Sequence, residues 1–457
     1  MAEIETYLED RLPTARLFIT RSNGGAMAAS EARCYPVQTL LSGPASGVTA
    51  ACFLGQSLAG EKLLTMDMGG TSTDLSLIVD GRPTISNAAE VGDFPLMMPV
   101  TGIEAIGAGG GSVVWVDDGG MLRIGPHSSG ADPGPACYGR GGERPTLTDA
   151  HVIRNTVRPE AFLGGRMEIF ADRSRTALQP VAELLGMSLE DAADSAIQLA
   201  NANVVRAIQL ISTERGFDPR DYVLVPFGGA GPLHAASVAS DLGVSEVVVP
   251  PSAGVVSAFG LIASDFTQFS SLTRRVVVDD LAPDVVRETC AAMRADALEK
   301  FKALKLRGEP VFDFVADMRF VGQAFEVPVS FDLASLETLS EADIRARFQE
   351  EHHKVFFFGG ASGKPIELVS FRLGMTLPVD QVPVLSEDSS EARASRDIDL
   401  YINRGWQKGR LVGHGSLATD AAIAGPALLE DPTSTLFLPQ GWQAVRDAHH
   451  NTIMTRT

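Results

Sequence analysis

The chain has 457 residues, 45% of them hydrophobic and 21% charged, an ordinary globular composition whose length predicts about two to four domains. Its 57 acidic and 38 basic residues give a formal net charge of −19, which excludes a general electrostatic grip on nucleic acid or on an anionic membrane face. Glycine is in excess, with 45 residues against an average near 7%, so the placement of the glycines carries information.

The N-terminal stretch MAEIETYLEDRL is acidic and amphipathic and lacks the basic start and apolar core of a signal peptide. Apolar runs are too short or too glycine-broken to span a bilayer. Cys34, Cys52, Cys137 and Cys290 lie far apart with no C-x-x-C pair, so neither a zinc knuckle nor a disulfide framework is expected. The expected setting is the cytoplasm, with free thiols.

Residues 1–20 read as helix followed by a strand at Leu17–Thr20, and Ser22–Gly25 as a turn. A helix is expected from Ala29 towards Cys34, and another over Val48–Ala59. Residues 62–81, KLLTMDMGGTSTDLSLIVDG, read as strand, tight turn and strand, apolar enough for a buried hairpin. The glycine-rich centre, 100–145, holds short β pieces at Ser112–Val116 and Met121–Ile124 between turns. Helices follow at Arg173–Leu185 and Leu189–Ile211. Tyr222–Pro226 is a buried strand, Gly228–Leu233 a loop, His234–Leu242 a helix and Val247–Val249 a strand, followed by the loop PPSAG at 250–254. Beyond about residue 270 the texture changes to strands at 276–278, 313–331 and 366–377 with helices near 284–304 and 342–356. Residues 385–398 are polar and read as a linker, and the rest as short strands. These shifts predict a core over 1–270, an α+β domain over 271–384 and a β-rich segment over 385–457.

Two loops carry chemistry. In Asp67-Met68-Gly69-Gly70-Thr71-Ser72-Thr73-Asp74, paired glycines allow a sharp turn that offers backbone N–H groups to an anion. Thr71 and Thr73 add hydroxyls. Asp67 and Asp74 bracket the turn and are candidate ligands for a hydrated Mg²⁺, which favours one or two carboxylates plus phosphate and water. The second loop, Gly228-Gly229-Ala230-Gly231, joins a strand to a helix, an arrangement that lets a flat purine lie on the backbone and favours negative charge at the helix start. Neither a G-x-x-x-x-G-K-[ST] nor a G-x-G-x-x-G fingerprint is present. His127, Asp132, Asp149 and His151 are capable of binding a metal, but their spacing fits no short motif, and turn and cap roles are expected. Cys137 is expected to be a structural thiol, and His234 to cap or pack against its helix.

In this order, SNGG, LLSGPASGV, DMGGTSTD, GAGGG, GPHSSGADPGPACYGRGG, TLTDA, ERGFDPRDYVLVPFGGAGPLHA, PPSAGVVSAFGLIASD, DMRFVGQAFEVPV and GPALLEDPTSTLFLPQGW resemble the hydantoinase A/5-oxoprolinase family over essentially the whole chain. The resemblance implies an α/β fold of the actin/hexokinase/heat-shock ATPase (ribonuclease H-like) type, with a C-terminal α+β or β-rich part. It implies that Asp67, Gly69, Gly70, Thr71, Thr73 and Asp74 are the second phosphate motif of that fold, and Gly228, Gly229, Ala230 and Gly231 its adenosine motif. It also implies ATP with Mg²⁺ or another divalent metal, a lactam or ketone substrate, and a hydantoinase B-type partner subunit. Such proteins usually carry an N-terminal domain with a further G-G-T-x-T-D motif. Only one such motif occurs here, so that domain is expected on a separate polypeptide or absent. Three functions follow as expectations: the ATP-handling part of a cyclic-amide hydrolase, a subunit of an ATP-dependent ketone carboxylase, or a nucleotide-binding subunit without catalysis of its own.

Overall fold

A computed structural model describes the chain apart from residues 56–61, 87–88, 92–93, 97, 99, 305, 357–363, 380–394, 418 and 420. The chain forms two compact units. One comprises Met1–Thr20, Gly25–Thr39 and Ser264–Val382, the other Arg21–Gly24, Leu40–Ala263 and Pro383–Thr457. These units cut the chain differently from the three stretches read off the sequence. The C-terminal strand Thr452–Arg456 pairs antiparallel with Glu246–Val249 and so extends the sheet of the larger unit.

That sheet is built around the buried strand Leu63–Met68. It pairs antiparallel with Thr73–Val79 on one side and parallel with Val223–Phe227 on the other. Glu246–Val249 continues the parallel run. The strands are nearly continuous apolar stretches, as expected for a sheet covered on both faces. On one face lies the helix Leu189–Ile211, whose buried Ala192, Ala196, Ile197 and Ala200 pack with Met68, Val114 and Leu147. The opposite edge of the strand alternation meets the helices Ser42–Gly55 and Val256–Ala263. These pack so closely that a Cβ on Gly260 would lie 1.8 Å from the Ser46 carbonyl oxygen.

The smaller unit is a six-stranded sheet in which Ile366–Leu377 is flanked by Phe266–Val277 and Val311–Phe320. Val286, Phe314, Phe348 and Phe371 form its core with the helices Ala282–Ala303 and Glu341–Phe356.

Most elements fall within a few residues of their expected positions. The helix after the second glycine loop begins at Gly231, three residues earlier than expected, with Pro232 in its first turn. Proline suits that position because its fixed φ is helical and the missing N–H has no intrahelical partner there. The helix Val256–Ala263 had no clear sequence signal. The expected linker is described only from Ser395, and Arg396 already opens a strand.

Candidate nucleotide site

The hairpin register sets Asp67 opposite Asp74 and Met68 opposite Thr73. Gly69 N–H donates to the Ser72 carbonyl, 3.1 Å, closing the turn. The turn is clamped from outside by the glycine-rich centre: Gly110 N–H donates to Gly69 O at 2.9 Å and Gly111 N–H to Gly70 O at 2.6 Å. A Cβ on Gly109 would stand 2.7 Å from the Thr71 carbonyl carbon, so this strand-to-turn approach needs glycine. Gly70 and Thr71 are exposed, and among the described residues their N–H groups carry no hydrogen bond. Thr73 departs from its expected role. It is fully buried and its hydroxyl donates to the Ala108 carbonyl, which ties the hairpin to the glycine-rich stretch and leaves no hydroxyl for a phosphate.

Asp67 accepts a hydrogen bond from the Ser257 hydroxyl at 2.8 Å. Burial raises its pKa, partly offset by that bond. Asp74 is pushed up to about 6, first by burial and then by the charge of Asp67. No lysine or arginine pairs with either carboxylate among the described residues. Nor do these residues include a cluster of three or more His, Cys, Asp or Glu side chains placed for a metal. A pair of facing, charge-starved carboxylates beside an open turn fits a hydrated Mg²⁺, which needs few protein ligands.

The second loop is bonded directly to the first. Ala230 N–H donates to Met68 O, 3.0 Å, and Gly228 N–H to Ala253 O, 2.9 Å. Gly228 has φ +80°, and a Cβ there would sit 2.5 Å from both Asp67 Oδ1 and Met68 O. Segments some 160 residues apart in sequence thus form one wall.

A cavity of about 410 Å³ opens on this wall, lined by Gly69, Gly70, Gly229 and Ala230 among the expected residues. Asp67, Thr71, Thr73, Asp74, Gly228 and Gly231 do not line it. The remaining wall comes from residues that sequence reasoning missed. Tyr138 and Phe162 form a tilted aromatic pair at 5.6 Å. Arg158 is buried and held in a bidentate pair by Glu430, with both contacts at 2.6 Å. Thr433 lies over Gly229 and Gly254, fixed by Asp431, which accepts from its N–H at 2.7 Å. The signal for this loop was present in the EDPTST stretch, but nothing local shows that it returns to the glycine loops.

The candidate metal ligands of the centre have other tasks. Asp149 is fully buried and accepts from Ala136 N–H, Cys137 N–H, Thr146 and Ser174, completing a capping box at the start of Leu147–Ile153. His127 and Asp132 are exposed. His151 and His234 are buried with Nε2 atoms 3.1 Å apart. His234 Nδ1 faces Asn201 Oδ1 at 2.6 Å and His151 Nδ1 faces Thr156 Oγ1 at 2.8 Å. One assignment satisfies every atom: His234 Nδ1–H donates to Asn201, His151 Nε2–H to His234, and the Thr156 hydroxyl to His151. Burial favours these neutral forms, holding His151 well below its usual range and His234 down to about 3.

Cys137 is buried, and burial and the neighbouring Asp149 push its thiol pKa up, which disfavours the thiolate. Brief iodoacetamide treatment of the native chain should label exposed Cys34 and spare Cys137 and Cys290. Peptide mass spectrometry reads this directly, and early labelling of Cys137 would contradict its structural role.

Residues 1–269 match the family description Hydantoinase/oxoprolinase, and residues 281–454 match the Hydantoinase/oxoprolinase C-terminal domain. The chain belongs to the hydantoinase/oxoprolinase family. It is 31% identical over 455 residues to an uncharacterized protein of Methanocaldococcus jannaschii, covering 95% of this chain and 64% of that one. It is 30% identical over 438 residues to the caprolactamase subunit alpha of Pseudomonas jessenii, covering 93% and 63%. The crystal structure of that ATP-dependent caprolactamase superposes with a TM-score of 0.76 at 27% identity, over all of this chain and 69% of the other. The nucleotide-free structure of acetone carboxylase gives 0.86 at 25% identity, over all of this chain and 66% of the other. The chain therefore spans just under two thirds of the length of these two curated relatives. Its α/β core has the actin/hexokinase-type nucleotide-binding fold. Among the described residues no helix is long and apolar enough to cross a membrane.

Proposed function

We propose that this family member is the ATP-handling A-type part of an ATP-dependent cyclic-amide hydrolase, acting on hydantoin- or 5-oxoproline-like lactams. The observation that carries the reading is the shared wall. The Gly69–Gly70 turn and the Gly229–Ala230 turn, one suited to phosphate and the other to a purine, line a single cavity. ATP, when bound, supplies the phosphoryl group that makes a lactam oxygen a good leaving group. Such transfer asks the protein for positioning and charge neutralisation rather than covalent chemistry. In this chain the N–H groups of Gly70 and Thr71 would meet phosphate oxygens, Asp67 and Asp74 would hold the divalent cation, and the Gly229–Ala230 backbone would carry the base. Ring opening belongs to a B-type partner subunit.

Calorimetric titration of the chain with ATP, with and without Mg²⁺, tests this. Binding is expected to tighten with Mg²⁺, and Asp67→Ala is expected to remove that gain. Equal affinities in wild type and variant would sink the assignment. A second reading, a subunit of a ketone carboxylase, is favoured by the higher structural likeness to acetone carboxylase. Stimulated ATP turnover that requires bicarbonate and a ketone, with a B-type partner added, would select it over the hydrolase.

A further inference from the structure

The cavity contains a charge that the proposed function has not used. Two arginines line it, Arg140 and Arg158, and no lysine does. Arg158 is spent: Glu430 grips it bidentately and Glu160 also contacts it. Arg140 is exposed and has no ion pair among the described residues. The acids of the wall are Glu430, already paired, and Asp431, which accepts from Thr433. Arg140 is thus the arginine of the cavity wall without an ion pair among the described residues, in a chain of net charge −19.

Its loop is firmly held. Asp149 fixes the N–H groups of Ala136 and Cys137 at 3.1 and 2.8 Å, and Phe170 N–H binds the Cys137 carbonyl at 2.7 Å. Gly139 turns the chain at φ +68°, where a Cβ would press to 2.7 Å on the Phe170 ring. This turn sets Tyr138 and Arg140 on either side of it, both on the cavity wall. The Tyr138 phenol has no hydrogen-bond partner among the described residues, and burial, its largest influence, raises its pKa to about 12, so it remains an O–H donor.

We propose that Tyr138 and Arg140 form a donor pair that receives the terminal phosphoryl group of the bound nucleotide. The inference rests on the ATP reading above. A triphosphate brings several negative charges to a wall whose other arginine, Arg158, is already paired with Glu430. A guanidinium matches phosphate oxygens in geometry and charge. The exposed position of Arg140 makes its replacement harmless to folding, and Tyr138→Phe removes one oxygen only.

The test is calorimetry of the full chain with a non-hydrolysable ATP analogue, ADP and adenosine, all with Mg²⁺, alongside thermal melting. Arg140→Gln should weaken the ATP analogue about 10- to 100-fold, as loss of a charged hydrogen bond does, and leave adenosine unchanged. ADP should change less than about threefold. Arg140→Lys should recover part of the loss, and Tyr138→Phe should show a smaller loss of the same selectivity. Equal weakening of ATP analogue and ADP would overturn the terminal-phosphoryl assignment. So would an affinity for the ATP analogue that Arg140→Gln leaves unchanged. A wild-type chain that binds no nucleotide would instead remove the ATP reading and this inference with it.

Discussion

Gly109→Ala is expected to cost stability and nucleotide affinity together, although Gly109 is not on the cavity wall. Its new methyl would stand 2.7 to 2.8 Å from Thr71 C, Thr71 N and Ser72 N. These are backbone atoms of the turn, so no rotamer change can relieve the contact. Either the hairpin turn moves or the Gly109–Gly111 segment withdraws and gives up its hydrogen bonds to Gly69 and Gly70. Overpacking of this kind costs about 1–3 kcal/mol, and a displaced turn should lower ATP affinity roughly tenfold or more, since a hydrogen bond to a charged group is worth about 1.5–3 kcal/mol. Gly70→Ala is the control. A Cβ there meets nothing within 4 Å, so its urea midpoint should match wild type, while a methyl on the wall should still hinder the ligand. If Gly109→Ala keeps both its midpoint and its affinity for ATP, the glycine-rich centre is not a clamp.

The hairpin, the second glycine loop and the buried strand before it were legible because each rests on local chemistry. Apolar strands broken by Gly-Gly have few other folds, whereas Pro232, read as part of the loop, stands in the first turn of the helix. The partners of those loops were not legible. Ala230 N–H reaches Met68, Thr433 covers Gly229, and Glu430 pairs Arg158 across more than 270 residues. Each contact depends on how strands far apart in sequence are ordered in the sheet, which no window of residues encodes. Thr73 shows the complementary error. Its residue type suited a phosphate, but strand alternation turned its hydroxyl inward to Ala108. The same hidden pairing set His151 against His234, a contact that the expected turn and cap roles did not include.

The carboxylate pair should make stability fall with pH in a window that Mg²⁺ closes. Asp74 titrates near 6 in the folded chain against an ordinary 3.8. Below about pH 4 the carboxyl is protonated in both states and contributes nothing. Between about 4 and 6 the unfolded chain ionises while the folded chain retains the proton. The unfolded state then binds fewer protons, so stability declines as pH rises and levels off above about 6. A shift of this size corresponds to the order of 2–3 kcal/mol at about 1.4 kcal/mol per unit. Asp74→Asn removes the ionisation with little change of shape. Its urea midpoint should match wild type near pH 4 and exceed it at pH 7 to 8. Adding Mg²⁺ with ATP at pH 8 should restore wild type, whose ionised pair attracts the cation, and do much less for the variant. Parallel curves for the two proteins across pH 4 to 8 would show that Asp74 carries no buried charge, and the carboxylate pair would lose its claim on a metal.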